Sequence, residues 1–133
     1  GTLAIEAPEG FRDRLLLAYP TLPRDRKPWA MREISLLIEG SERARSHPQA
    51  AISAYAAASV LTEGLRRAGR DLGRSELKAS LESMYRFDTG LTPLITFTPN
   101  RRIGARGANV VAVGDEPVGE RTLLEAAEWV EVD

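Results

Sequence analysis

The chain has 133 residues, 43% hydrophobic, 28% charged and 6% aromatic, enough for one domain of ordinary size and too apolar for a disordered segment. Its 18 Lys and Arg and 19 Asp and Glu leave a formal charge of -1, so no global field selects nucleic acid or an anionic membrane as a partner. There is no cysteine, which excludes a disulfide framework, thiolate catalysis and Cys-ligated zinc, and the apolar runs fall far short of the ~20 residues of a membrane helix.

Residues 1–13 hold a brief alternation at Leu3 and Ile5 before Pro8 and Gly10 interrupt it, which reads as a weak strand or a loop. No basic segment followed by an apolar stretch, the pattern of an export signal, stands there. Arg14 to Pro20 is a short apolar run closed by proline, the length and punctuation of a strand buried on both faces, as in a parallel sheet, although a short buried helix has the same look. After a polar connection from Thr21 to Lys27, Pro28 suits the first position of a helix, where its missing N–H has no partner to lose. Met31, Ile34, Leu37 and Ile38 recur at helical spacing as far as Gly40, a candidate left-handed stop.

Ser41 to Pro48 is polar and mixed in charge and reads as surface, either a further turn of helix or a loop. Gln49 to Ala68 is the clearest element, a long alanine-rich helix with Ile52, Tyr55, Val60, Leu61 and Leu65, ended by Gly69. Its alanines lower the bulk of the first half, so another element can lie close against it. Asp71 or Ser75 can cap a second helix ending near Arg86, with Leu77, Leu81, Met84 and Tyr85 on one stripe. Leu94–Thr98, set between Pro93 and Pro99, reads as a strand, and Asn109–Val113 as its antiparallel partner. In the tail from Arg121 to Asp133, residues 123–127 have helical character and Trp129–Val132 alternate, which favours a final strand. The mixture is α/β or α+β.

The inventory for catalysis is thin. His47 is the lone histidine and lacks the second histidine that a metal pair needs, so it reads as a surface residue. Asn100 to Gly107 carries three arginines among glycines, but without interleaved aromatics, and above an acidic C-terminal stretch, it reads as a solvated turn rather than an RNA or phosphate site. Asp88-Thr89-Gly90 has the triplet of aspartic proteases but no second copy to share a proton with, so its residues serve as a turn. The aromatics are scattered singly and suit a core. Tyr19 at a strand end and Tyr55 in the first turns of the alanine-rich helix are where sites form in open α/β sheets.

Ser53-Ala54-Tyr55-Ala56-Ala57-Ala58-Ser59-Val60-Leu61-Thr62-Glu63-Gly64-Leu65-Arg66-Arg67-Ala68-Gly69, then Leu77 to Leu81, then Phe87-Asp88-Thr89-Gly90 through Phe97-Thr98-Pro99-Asn100, then Gly107-Ala108-Asn109-Val110-Val111, stand in an order that resembles the C-terminal part of the type I periplasmic solute-binding proteins of ABC transporters, the branched-chain amino acid binding family. Thr92 and Arg101 stand where that family's pattern has glycine. The resemblance covers residues ~14 to 113 and rests on order and spacing more than on any one motif. It implies a periplasmic-binding-protein-like type I fold, with a mixed sheet flanked by helices and a late β-hairpin. Residues 1–133 would then be a single truncated domain, the C-terminal piece of a two-lobe protein that closes on ligand by a hinge.

The function so implied is the non-enzymatic substrate-binding component of an ABC-type uptake system for amino-acid-like or small carboxylate ligands, periplasmic or extracytoplasmic, with a membrane permease as partner and no cofactor or metal; as a C-terminal fragment, this chain does not build a complete cleft and is not expected to bind alone. Tyr19, Ile52 and Tyr55 are the ligand-facing positions that follow from the resemblance, as apolar walls and a hydroxyl donor. A piece of such a lobe leaves strand edges that can pair with a second copy, so homodimerisation is a further expectation. The alternative is a stand-alone α/β sensory or protein-interaction module with no transport role.

Overall fold

The computed structural model describes residues 15–113 and 123–130. The weak strand or loop expected over residues 1–13, the connection 114–122 and the last three residues lie outside them. The protein is mixed α/β, and its described residues divide into two compact units, one formed by those up to Thr21 together with those from Arg106 onward, the other by Leu22–Ala105.

The first unit is a three-stranded antiparallel sheet in the order β1-β2-β3, made by Leu16–Tyr19, Ala108–Val113 and Leu123–Val130. β1 meets β2 in unbroken register, Leu16 opposite Ala112 and Tyr19 opposite Asn109. Between β2 and β3 the register shifts twice, as Ala108 faces Val130, Val110 faces Ala127 and Val111 faces Glu125. Both shifts place the extra residue on β3, bulges that raise the local twist. β1 was expected to be covered on both faces in a parallel sheet; it is an antiparallel strand whose residues alternate between exposed and half-buried, with Leu16 60% exposed. One covered face is what an antiparallel strand needs, and the run of leucines simply exceeds it. Val111 and Asn109 are buried at 1% and 2% exposure. β3 is a strand throughout, including the residues with helical character, because pairing with β2 outweighs local propensity.

The second unit is helical. A 3₁₀ turn at Pro23–Asp25 leads into α1, Pro28–Glu39. Proline opens α1 as expected, but Gly40 closes it with φ -73° and ψ -8°, ordinary right-handed backbone and not a left-handed stop. Ser41 caps a separate short helix, α2, Glu42–Ser46, its Oγ accepting from the Ala44 N–H at 3.4 Å. α3 spans Pro48–Ala68 and ends at Gly69, whose φ of 76° supplies the left-handed residue there.

α4 is Arg74–Glu82, shorter than the stripe suggested, and Gly73 occupies the N-cap position where Asp71 or Ser75 was expected. Because the helix stops at Ser83 and Arg86 has φ 50°, Tyr85 leaves the stripe and is 74% exposed while Met84 is fully buried. α3 and α4 approach closely at Gly64: the Ser80 Oγ donates to the Gly64 carbonyl at 2.5 Å, and a Cβ on Gly64 would meet a Leu81 methyl at 2.6 Å.

The late hairpin between Leu94–Thr98 and Asn109–Val113 does not form. Residues 94–101 bond instead to their near neighbours in sequence, through a Phe87–Ile95 bridge with both N–H···O bonds at 2.8 Å and a Thr98–Arg101 bridge at 3.0 and 3.1 Å. Pro93 and Pro99 keep the run too short for a ladder, and Thr98-Pro99-Asn100-Arg101 is a tight turn with proline in its favoured second position. β2 finds its partners in β1 and β3. The core of the helical unit is Ala30, Ile34, Ile52, Ala56 and Leu91, with Met31, Ile38 and Tyr55 against it. Each large side chain among these contributes about 1.5–3 kcal/mol by leaving water, and the alanines on both helices are what bring α1 and α3 together.

Candidate functional site

The seam between α1 and α3 concentrates the polar chemistry of the helical unit. At its start the Arg26 Nη2 donates to the Gln49 Oε1 at 2.9 Å, and two turns on the Tyr55 hydroxyl donates to the Glu33 carboxylate. The first contact comes from the turn just before α1 and the second from α1 itself, and both reach the first half of α3. Ile52 and Ala56 belong to the core cluster against which Tyr55 packs.

Tyr55 is half-buried, its ring packed on the core cluster and its hydroxyl at the surface. The Glu33 carboxylate it serves raises its pKa above the ordinary phenol value, first through the hydrogen bond, then with the aid of burial and of the carboxylate's charge. The phenol is therefore a proton donor throughout the neutral range. What the pair offers is a surface carboxylate acceptor held beside a fixed hydroxyl.

Below the start of α1, Lys27 pairs with Asp88, and the Lys27 N–H donates to the Gly90 carbonyl at 2.7 Å. The lysine's hydrogen bond holds the Asp88 carboxyl below its ordinary value, aided by the Gly90 N–H at 2.8 Å and opposed by partial burial. Thr89, buried, bonds the Thr92 hydroxyl at 2.7 Å and accepts from the Leu91 N–H at 3.2 Å. The Asp-Thr-Gly triplet is thus a side-chain-capped turn, as its composition implied. On the outer side of α3, Glu63 takes Arg66 at 2.8 and 2.9 Å and Arg67 at 2.6 Å, and these two guanidinium groups hold its carboxyl down to about 2.

Of the three sequence-derived site residues, Ile52 and Tyr55 lie one turn apart on the seam, Ile52 only 5% exposed within the core cluster. Tyr19 ends β1 in the sheet unit, half-buried, with its carbonyl 3.5 Å from the Asn109 Nδ2. His47 is exposed at the junction of α2 and α3. Among the described residues no cluster of His, Asp or Glu side chains is arranged to hold a metal ion, and no helix is long and apolar enough to cross a membrane. Glu33 was not legible as a site residue: it is one of three charged residues on α1, and only the packing of α1 against α3 brings it to Tyr55.

Compared with protein-family models, curated proteins and solved structures, the chain matches none.

Proposed function

We propose that this chain is the C-terminal part of the substrate-binding component of an ABC-type uptake system, which takes an amino-acid-like or small carboxylate ligand outside the cytoplasm and presents it to a membrane permease. The reading is carried by a succession: the alanine-rich α3, the short α4, the capped turn at Asp88–Gly90, the tight turn at Thr98–Arg101 and then β2 follow one another in the order of the motifs that resemble the solute-binding family. The Tyr55–Glu33 pair gives that reading its chemistry. A carboxylate at the surface accepts from a ligand ammonium, and the protonated phenol beside it fixes the carboxylate's position and can turn to a ligand oxygen. Apolar neighbours on the seam supply pocket shape.

The test is a thermal-shift screen of the polypeptide encoded by the whole reading frame against amino acids and small organic acids. A true ligand at a hundred times its Kd stabilises by about 2.7 kcal/mol, a shift of several degrees. For an ammonium-bearing ligand, Glu33→Gln weakens binding about tenfold and Tyr55→Phe less, as expected for loss of a charged and of a neutral partner. If no compound in the screen moves the melting temperature, the uptake reading is wrong.

A further inference from the structure

α3 has a second face that the core does not use. Ala57 lies about 200° around the helix from Tyr55 and is exposed, and with Val60, Leu61, Leu81 and Phe97 it lines a cavity of about 260 Å³. A second cavity of about 270 Å³ shares Ala57, Val60 and Phe97 and runs on toward Ile95 and Thr92. The two adjoin across Ala57, Val60 and Phe97, and together they are referred to as the trough, walled on its far side by the 95–104 turns. The absence of a side chain at Gly104 sets that wall, since a Cβ there would stand 2.7 Å from an Ile95 methyl and 2.9 Å from the Phe97 ring.

The mouth of the trough is cationic. Glu82 is shared by Arg102 and by Lys78, the latter at 3.8 Å, so two cations face one carboxylate and leave one net positive charge. Arg101 is also among the lining residues, and its guanidinium donates to the carbonyls of Ile103 and Gly104 at 3.2 and 3.3 Å. Arg102 is 61% exposed along its side chain and can turn from Glu82 to an incoming anion without leaving a buried charge behind. An apolar channel whose mouth sets Arg102 and Lys78 against the single carboxylate of Glu82 complements a molecule with a hydrocarbon body and one anionic end. Each cavity lies just under the roughly 300 Å³ at which small-molecule sites begin, which limits the occupant to a short chain or a single ring.

We infer that this trough binds small amphipathic carboxylates, head group at Arg102 and tail along Ala57, Val60 and Phe97. The site is separate from the Tyr55–Glu33 seam and does not depend on the uptake reading. Octanoate and octanol, titrated into the 133-residue chain and followed by amide and methyl NMR shifts, provide the test. Octanoate gives saturable shifts at Ala57, Leu61, Leu81 and Phe97 with a Kd below about 1 mM, and at low ionic strength it binds about tenfold tighter than octanol. Arg102→Gln, a surface change, brings octanoate down to the level of octanol. Ala57→Trp, at an exposed helical position, fills the trough and removes binding of both. Equal affinity for acid and alcohol, shifts that map elsewhere, or full binding by a folded Ala57→Trp protein overturns the proposal. So does a concentration-dependent dimer, seen by light scattering, whose interface shifts map to the trough, because the occupant is then a second copy.

Discussion

At Gly90 a single added methyl group is costly, and the damage has two separable parts. Its φ is +70°, and a Cβ there would stand 2.5 Å from the Trp29 ring and 2.6 Å from the Ala30 Cβ. The left-handed backbone costs an L side chain about 1–2 kcal/mol; the overlap with Trp29 and Ala30 adds about 1–3 kcal/mol of overpacking. Gly90→Ala therefore lowers stability by about 2–5 kcal/mol, a large share of the 5–15 kcal/mol that a domain commonly has. In urea denaturation followed by helical circular dichroism, with a slope of about 2 kcal/mol/M, the midpoint falls by roughly 1–2.5 M.

The two parts separate in a double-mutant cycle with Trp29→Ala. Removing the ring relieves its share of the overlap but neither the contact with the Ala30 Cβ nor the backbone strain, so Gly90→Ala costs about 1 kcal/mol less in the Trp29→Ala background. Gly69→Ala is the control, since Gly69 has φ +76° and a methyl group added to it would have nothing within 4 Å; its cost is conformational alone and additive with Trp29→Ala. A Gly90→Ala penalty that is the same in both backgrounds refutes the packing of Gly90 against α1 as described.

Ile52→Ala, Ile34→Ala and Leu91→Ala each leave a hole in the α1–α3 core and cost about 2–5 kcal/mol in the same denaturation assay. Tyr55 titrates above the ordinary phenol range in an NMR pH series, and Glu33→Gln lowers it, because hydrogen bond and charge are both reduced; an unchanged titration shows that the pair does not persist in solution. The Asp88 carboxyl, depressed in the folded state, contributes stability that is present above its unfolded-state range and fades as pH falls through its folded value; Lys27→Gln raises its titration in ¹³C NMR. Glu63 follows the same sign, its carboxyl ionised down to about pH 2, and replacing either Arg66 or Arg67 by Gln moves that titration upward.

The helices with strong periodic patterns were legible in the sequence, and their ends were not. Pro28 and Gly69 marked real boundaries because each acts through its own backbone geometry. Gly40 did not, since a glycine also sits comfortably in right-handed backbone, and the end of α4 was missed because the stripe through Met84 and Tyr85 continues past the last helical hydrogen bond. Leu94–Thr98 has every local mark of a strand, and no local property says that its partners are Phe87 and Arg101 rather than β2. Site residues divide the same way. Tyr55 stood out as an aromatic in the first turns of an alanine-rich helix, whereas Glu33 and Asp88 acquire their roles only from partners on other elements.

The ladder between β1 and β2 joins Tyr19 to Asn109, residues 90 apart, with the whole helical unit strung between them. Closing a loop of that length costs about 4 kcal/mol of chain entropy in its length-dependent part alone. Helical contacts within 22–105 are more local and shorten the effective loop once made, so loop entropy alone predicts that the helical unit forms first and the sheet last. A fragment of residues 22–105 should accordingly keep its helical dichroism, whereas a peptide pair from the two strands, deprived of that tether, should not associate.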